Sequence, residues 1–374
     1  MRAKFRVTAL LALAVWALSG ISAHAVSPGD VSAASAILIE AQTGTVLFEK
    51  NADQHRAMAS TTKIMTALLT IEAGDPDREF TVDPLAIRVE GTSMGLREGD
   101  RVSRRDLLYG ILLPSGNDAA NAAAVSVSGS IPAFVELMNR RAQELGLADT
   151  HFVTPSGLDA DGHYTTARDL ASLTAFAMKD ELFREVVSCQ SAEVEFGNPP
   201  YKRTLYNSNK MLKRYDGAIG VKTGFTDNAR RCLVSAAQRG GVTLVAVTLN
   251  AGDDWNDHTK MLDHGFTQVQ AYPADVGCSC RVAVAGTGNS VGVYARSATL
   301  PLTAEQRGKV TRKVLLPNFV CGTVEKGDRL GEIQFQLDGK NVLECPLYAD
   351  STVEVPGESP GFFREILARL GVFV

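Results

Sequence analysis

From Ser35 the polarity of the chain alternates and then breaks: SAILIEAQTGTVLFEKNAD reads as two strands on either side of the turn Gln42-Thr43-Gly44. An amphipathic helix follows in AMASTTKIMTALL, residues 57–69. A polar stretch from Arg78 to Arg101 ends in the turn-like Arg97-Glu98-Gly99-Asp100, and RRDLLYGILLPSGNDAANAAAVSV then has helical spacing broken at Pro114. Helical text resumes in IPAFVELMNRRAQELGL, with Glu136, Arg140 and Arg141 on the polar side and Gly146 near its end. GAIGVKTGFT reads as a strand, and RCLVSAAQRGGVTLVAVTLNAG as two apolar strands joined at Gly240-Gly241, a hairpin for the interior of a sheet.

Around residues 273 to 280 the pattern changes. Short Val-rich runs punctuated by Gly, Asn and Asp, such as RVAVAGTGNSVGVYA and GEIQFQLDGKNVLECPLYA, predict a small all-β domain over 275–356 after a first domain over 30–273. At the end, SPGFFREILARLGVFV returns to helical spacing, with Phe362, Phe363, Ile366, Leu367, Leu370 and Phe373 opposite Arg364, Glu365 and Arg369. Such a face docks on its own protein or lies in a membrane interface; the Ser359-Pro360-Gly361 linker favours an amphipathic membrane anchor over 359–374.

The chain has 374 residues, 45% hydrophobic and 21% charged, which suits two soluble domains. A net charge of -4, without a basic block interleaved with aromatics, argues against nucleic acid as a partner. Arg2, Lys4 and Arg6, an apolar run from Val7 to about Ile21, and Ala23 and Ala25 read as a signal peptide over 1–25. An uncleaved span needs roughly 20 apolar residues, and Ser19 and Gly20 interrupt a shorter run. Export permits disulfides among Cys189, Cys232, Cys278, Cys280, Cys321 and Cys345. No C-x-x-C pair occurs and no metal site is expected; isolated thiols are the alternative to a bridge, which would fall after residue 275.

Three short motifs occur in order: Ser60-Thr61-Thr62-Lys63, Ser115-Gly116-Asn117 and Lys222-Thr223-Gly224. Each alone has a plain reading: Ser60 as a helix cap with Lys63 snorkelling, Ser-Gly-Asn as a turn after Pro114, Lys222 as decoration on a strand. Together they fit S-x-x-K, S-x-N and K-T-G, the signature of penicillin-binding proteins and class A β-lactamases. The spacing has a chemical reason. Residues i and i+3 share a helix face, so Lys63 can reach the Ser60 oxygen as its general base. Burial among Met58, Ile64, Met65 and Leu68, with a second ammonium at Lys222, would disfavour its charged form. Ser115 is placed for proton transfer, and the Asn117 amide to hold Lys63 and a substrate carbonyl. On a strand Lys222 and Gly224 face the cleft while Thr223 leans away unless the strand end twists. The backbone N–H groups of Ser60 and Phe225 are the candidate oxyanion donors, and the edge can take an extended peptide.

With these motifs, and with SGNDAA, HFVTPSGLDADGHYTTARDLA, NSNKML and KTGFT, the sequence resembles the low-molecular-mass penicillin-binding proteins that are serine-type D-alanyl-D-alanine carboxypeptidases, over nearly the whole chain. The resemblance implies an α/β (α+β) transpeptidase-like domain with an antiparallel sheet flanked by helices, a small all-β domain and a terminal amphipathic helix. It implies, without a cofactor, removal of the terminal D-alanine from peptidoglycan stem pentapeptides through a Ser60 acyl-enzyme, with β-lactams acylating the same serine, at the outer face of the cytoplasmic membrane or in the periplasm. A β-lactamase, or a catalytically weak penicillin- or muropeptide-binding sensor, are the other readings. In one respect the chain departs from the family: the arginine that members often carry before K-L-L-x-x-G-F is replaced by Asp253-Asp254-Trp255 before KMLDHGF. Thr223 with Lys222, Arg230 or Arg231 are the candidates to hold the substrate's carboxylate instead.

Overall fold

A computed structural model describes residues 26–355. The signal peptide and the amphipathic terminal helix expected from the sequence lie outside the described residues. In chain order the elements are β1 (Ser35–Glu40), β2 (Val46–Lys50), a 3-10 turn (Ala59–Thr62) running into α1 (Lys63–Glu72), β3 (Glu79–Thr81), β4 (Arg101–Ser103), α2 (Arg104–Leu112), α3 (Asn117–Ser128), α4 (Ile131–Glu144), α5 (Ala167–Ala177) and α6 (Glu181–Ser188). The hairpin β5 (Ser191–Gly197) and β6 (Pro200–Tyr206), the short α7 (Met211–Arg214), β7 (Ala218–Thr226), β8 (Arg230–Arg239), β9 (Val242–Ala251) and α8 (Asp254–Gln268) follow.

Five strands form one antiparallel sheet in the order β2-β1-β9-β8-β7. Its central strands read as unbroken apolar runs because both faces are covered, so alternation sorts residues between two cores. Ile37 and Ile39 pack with α1 and the helices around it, whereas Ala36 and Leu38 pack with Met261 and Leu262 of α8. β7 pairs only with β8 among the described residues, which leaves its other edge open.

The polar stretch 78–101 supplies β3 and β4, which join β5 and β6 in a separate four-stranded sheet. The break at Pro114 separates α2 from α3, so Ser115-Gly116 lies between two helices and Asn117 opens the second. Close approach explains the small residues there. A Cβ on Gly110 would come within 2.3 Å of Met94 Sδ and 3.1 Å of Ala119 Cβ. Helices α5 and α6 and the β5–β6 hairpin stand where periodicity alone predicted nothing.

Beyond α8, β10 (Val269–Pro273) pairs with β13 (Thr299–Thr303). Strands β11 (Arg281–Val284), β12 (Asn289–Ala295), β14 (Thr311–Leu315), β15 (Phe319–Val320), β16 (Arg329–Leu337) and β17 (Lys340–Ala349) form a six-stranded sheet around Val282, Val291, Ile333, Phe335 and Leu347. Cys278 and Cys280 are bridged, and the other four cysteines are free thiols. Among the described residues no helix is long and apolar enough to cross a membrane.

Candidate active site

The first turn of text after the β1–β2 hairpin places Ser60 and Lys63 together. Ser60 lies in the 3-10 turn rather than capping the α-helix, and Lys63 is the first residue of α1. The helix cap position, Thr62, has its hydroxyl engaged elsewhere: it donates to Ala59 O at 2.8 Å and meets His163 Nε2 at 2.8 Å. Since Val153 N donates to His163 Nδ1 at 2.9 Å, the proton of a neutral ring sits on Nε2. Burial pushes His163 down to about 4, so the ring stays neutral at ordinary pH.

Lys63 is fully buried, and its Nζ lies 2.9 Å from Ser60 Oγ, 2.7 Å from Asn117 Oδ1 and 2.6 Å from Ser156 O. Burial, then the charge of Lys222, hold its pKa well below the usual lysine range, against the opposing pull of Asp118. A neutral amine has two protons and one lone pair. Of the three partners only the Ser60 hydroxyl can donate, so in the neutral form the amide and carbonyl oxygens keep the two N–H groups and Ser60 O–H points at the lone pair.

Asn117 is held on three sides. Its Nδ2 donates to Glu90 O at 2.7 Å and its N–H to Thr92 O at 2.7 Å, while Oδ1 takes Lys63. Asp118, at the start of α3, accepts from the backbone N–H groups of Met94, Gly95 and Leu96 and from Ser93 Oγ, which ties the 92–96 loop to the helix end. Ser115 has a φ of 69°, a left-handed conformation unusual for a side chain with a Cβ, and its buried Oγ has no hydrogen-bond partner among the described residues. An unpaired buried hydroxyl on a strained residue at the cleft wall is poised for a ligand.

Strand β7 forms the facing wall. A Cβ on Gly224 would lie 3.1 Å from Ser60 N, so glycine lets the strand approach the serine turn. Lys222 is 1% exposed, and burial pushes it down to about 7; its Nζ donates to Thr223 O at 3.0 Å. The cleft, about 580 Å³, is lined by Ser60, Ser115, Asn117, Thr223, Gly224 and Phe225, joined by Arg231 and Trp255. A serine against a buried amine, two orphaned or paired polar groups opposite, and an open strand edge form a site for acyl transfer to serine.

The family model of D-alanyl-D-alanine carboxypeptidase matches residues 22–253, and that of the C-terminal domain of penicillin-binding protein 5 matches 281–355. The chain belongs to the D-alanyl-D-alanine carboxypeptidase family. It is 32% identical to the D-alanyl-D-alanine carboxypeptidase DacF of Bacillus subtilis, over 87% of this chain and 87% of the relative. It is 33% identical to DacC of Escherichia coli, over 90% and 87%. The crystal structure of penicillin-binding protein 5 from Haemophilus influenzae superposes with a TM-score of 0.63 at 27% identity, covering 88% of this chain and 99% of that one. The Streptomyces K15 DD-transpeptidase superposes with a TM-score of 0.62 at 34% identity, covering 65% and 100%.

The chain is therefore a serine-type D-alanyl-D-alanine carboxypeptidase, a penicillin-binding protein acting on peptidoglycan. Neither the β-lactamase nor the sensor reading is favoured by these matches. Of the eight residues named from sequence, six line the carboxypeptidase cleft and Lys63 and Lys222 are buried next to it, with one difference from the strand arithmetic, at Thr223. Lys222 is buried on the Gly224 face of β7, the face that approaches the serine turn, and Thr223 lines the cleft beside Gly224. The structure also brings to the serine turn residues that the motifs did not flag. Ser156 O accepts from Lys63, and His163 braces the serine turn; both sit in HFVTPSGLDADGHYTTARDLA, where a turn text without periodicity hid their role.

Proposed function

We propose that Ser60 is the nucleophile of the carboxypeptidase and neutral Lys63 its base, in removal of the terminal D-alanine from peptidoglycan stem pentapeptides. The observation that carries this reading is the 2.9 Å contact between Ser60 Oγ and the wholly buried Lys63 Nζ. As Ser60 Oγ attacks the carbonyl of the penultimate D-alanine, its proton passes to Lys63, and the oxyanion is held by the backbone N–H groups of Ser60 and Phe225. Lys63 then returns the proton through the Ser115 hydroxyl to the leaving amine, and the bond to the terminal D-alanine breaks. Water, deprotonated by the same lysine, hydrolyses the Ser60 ester. Asn117 keeps Lys63 in place and bonds a substrate carbonyl, while the peptide adds to the open edge of β7 through Thr223 and Gly224. β-Lactams follow the first half of this path and acylate Ser60. The basic and apolar text of residues 1–25 supports export, and the amphipathic text of 359–374 supports a tether on the outer face of the membrane.

The test is Lys63→Ala, with folding checked by thermal melting. Release of D-alanine from diacetyl-Lys-D-Ala-D-Ala falls by about 1,000-fold or more. A folded variant within tenfold of the parent rate contradicts the role of Lys63.

A further inference from the structure

A carboxypeptidase acts only at a chain end, so its cleft must read a carboxylate as well as an amide. Among the described residues that line the cleft, Arg231 is the sole cation. Lys63 and Lys222 are buried, and neither they nor Arg230 are part of its lining. Arg231 stands opposite Phe225 in the β7–β8 ladder, and Thr223 stands opposite Leu233. Paired residues project to one side of a sheet, so Arg231 and Thr223 share a face as diagonal neighbours.

The guanidinium is aimed by an acid. Arg231 Nε donates to Asp254 Oδ1 at 3.0 Å and Nη2 lies 2.7 Å from the same oxygen. The Asp254 side chain is only 5% exposed, and its Oδ1 also accepts the Trp255 N–H at 3.0 Å, at the start of α8. That anchor leaves Nη1 without a partner among the described residues, on a side chain 44% exposed in the cleft. A planar fork with one edge fixed and the other free matches a carboxylate in two-point geometry.

We propose that Arg231 binds the terminal carboxylate of the substrate together with the Thr223 hydroxyl, and that Asp254 is the residue that positions Arg231. The chain thus replaces a lone cation with an oriented ion pair, carried across two elements: the arginine on β8 and its acid at the start of α8. This assignment rests on Ser60 as nucleophile, which fixes where the scissile bond and hence the carboxylate lie.

The test compares diacetyl-Lys-D-Ala-D-Ala with the same peptide ending in a carboxamide. Replacing Arg231 by glutamine lowers the acid-to-amide ratio of kcat/KM about 100-fold, and R231K, which keeps the charge but loses the fork, lowers it about tenfold. D254N raises KM for the acid about tenfold with kcat retained, a split that a loss of stability alone does not produce. An acid-to-amide ratio in R231Q equal to that of the parent, whether both rates fall together or neither changes, overturns the assignment. Ser60→Ala is measured alongside; turnover of both peptides by that variant contradicts the nucleophile reading, whatever the outcome at Arg231.

Discussion

At the scale of single residues the site holds two lysines where a core would hold leucines. Burial favours the neutral amine of both lysines, and at Lys63 the charge of Lys222 adds to it against the opposing pull of Asp118. Lys222 shows the consequence for stability. Unfolded, it keeps its proton up to the usual 10.5; folded, it releases it at about 7. Between these values the unfolded chain binds more protons, so stability rises with pH from about 7 towards 10.5 and the penalty is complete below 7. Lys222→Met therefore stabilises the fold by about 1–3 kcal/mol at pH 6, with the gain fading as pH approaches 10, while carboxypeptidase activity is lost. Denaturant titrations at the two pH values measure it; equal gains at both would show that packing rather than protonation sets the difference. The lysines were legible in sequence, because an apolar setting around Lys63 and Lys222 is visible in the text. The orientation of Thr223 was not, since alternation along a strand says nothing of where a cavity opens beside it.

At the scale of elements, catalytic geometry depends on how a short 3-10 turn is wedged between a loop and a strand. Gly224 lets β7 approach Ser60 N, and on the other side Gly157, at φ 83°, sits where a Cβ would come within 2.0 Å of Ala59 O. Ala59 itself is left-handed at φ 47°. Gly157→Ala thus adds backbone strain and pushes directly on the turn that carries Ser60, the proposed nucleophile. It destabilises by about 3 kcal/mol and slows acylation at least tenfold. Thermal melts and stopped-flow acylation check both effects; a variant with parent-like acylation would mean that the turn is not held by this contact. The helices α1 to α4 and the strands β7 to β9 follow from periodicity because their faces are strongly apolar. The β5–β6 hairpin escaped it: its exposed, charged text, SAEVEFGNPPYKRTLY, buries few side chains, and pairing with β4 gives it a place.

At the scale of the whole molecule, the catalytic sheet and the C-terminal sheet touch through β10 and β13, and through Gln42 Nε2 to Val342 O and Gln306 Nε2 to Thr45 Oγ1. Val269 of β10 is buried in the core of the first domain, and Leu300 and Leu302 of β13 in that of the second. If residues 359–374 are a tether, their deletion leaves D-alanine release intact and moves the protein from the membrane pellet to the soluble fraction. Continued sedimentation with membranes would place the attachment elsewhere. The change from mixed to all-β text near residue 275 was legible because the periodicity changes there, whereas the pairing of β10 with β13 across that point depends on long-range register that no local pattern encodes. The central claim is that Ser60 becomes the acyl-ester. The most direct measurement is mass spectrometry of the intact protein after brief exposure to penicillin, with peptide mapping of the adduct. One penicilloyl group per chain, on the peptide containing Ser60 and absent from Ser60→Ala, is the predicted result; an adduct on another residue, or none from a folded and active enzyme, would contradict it.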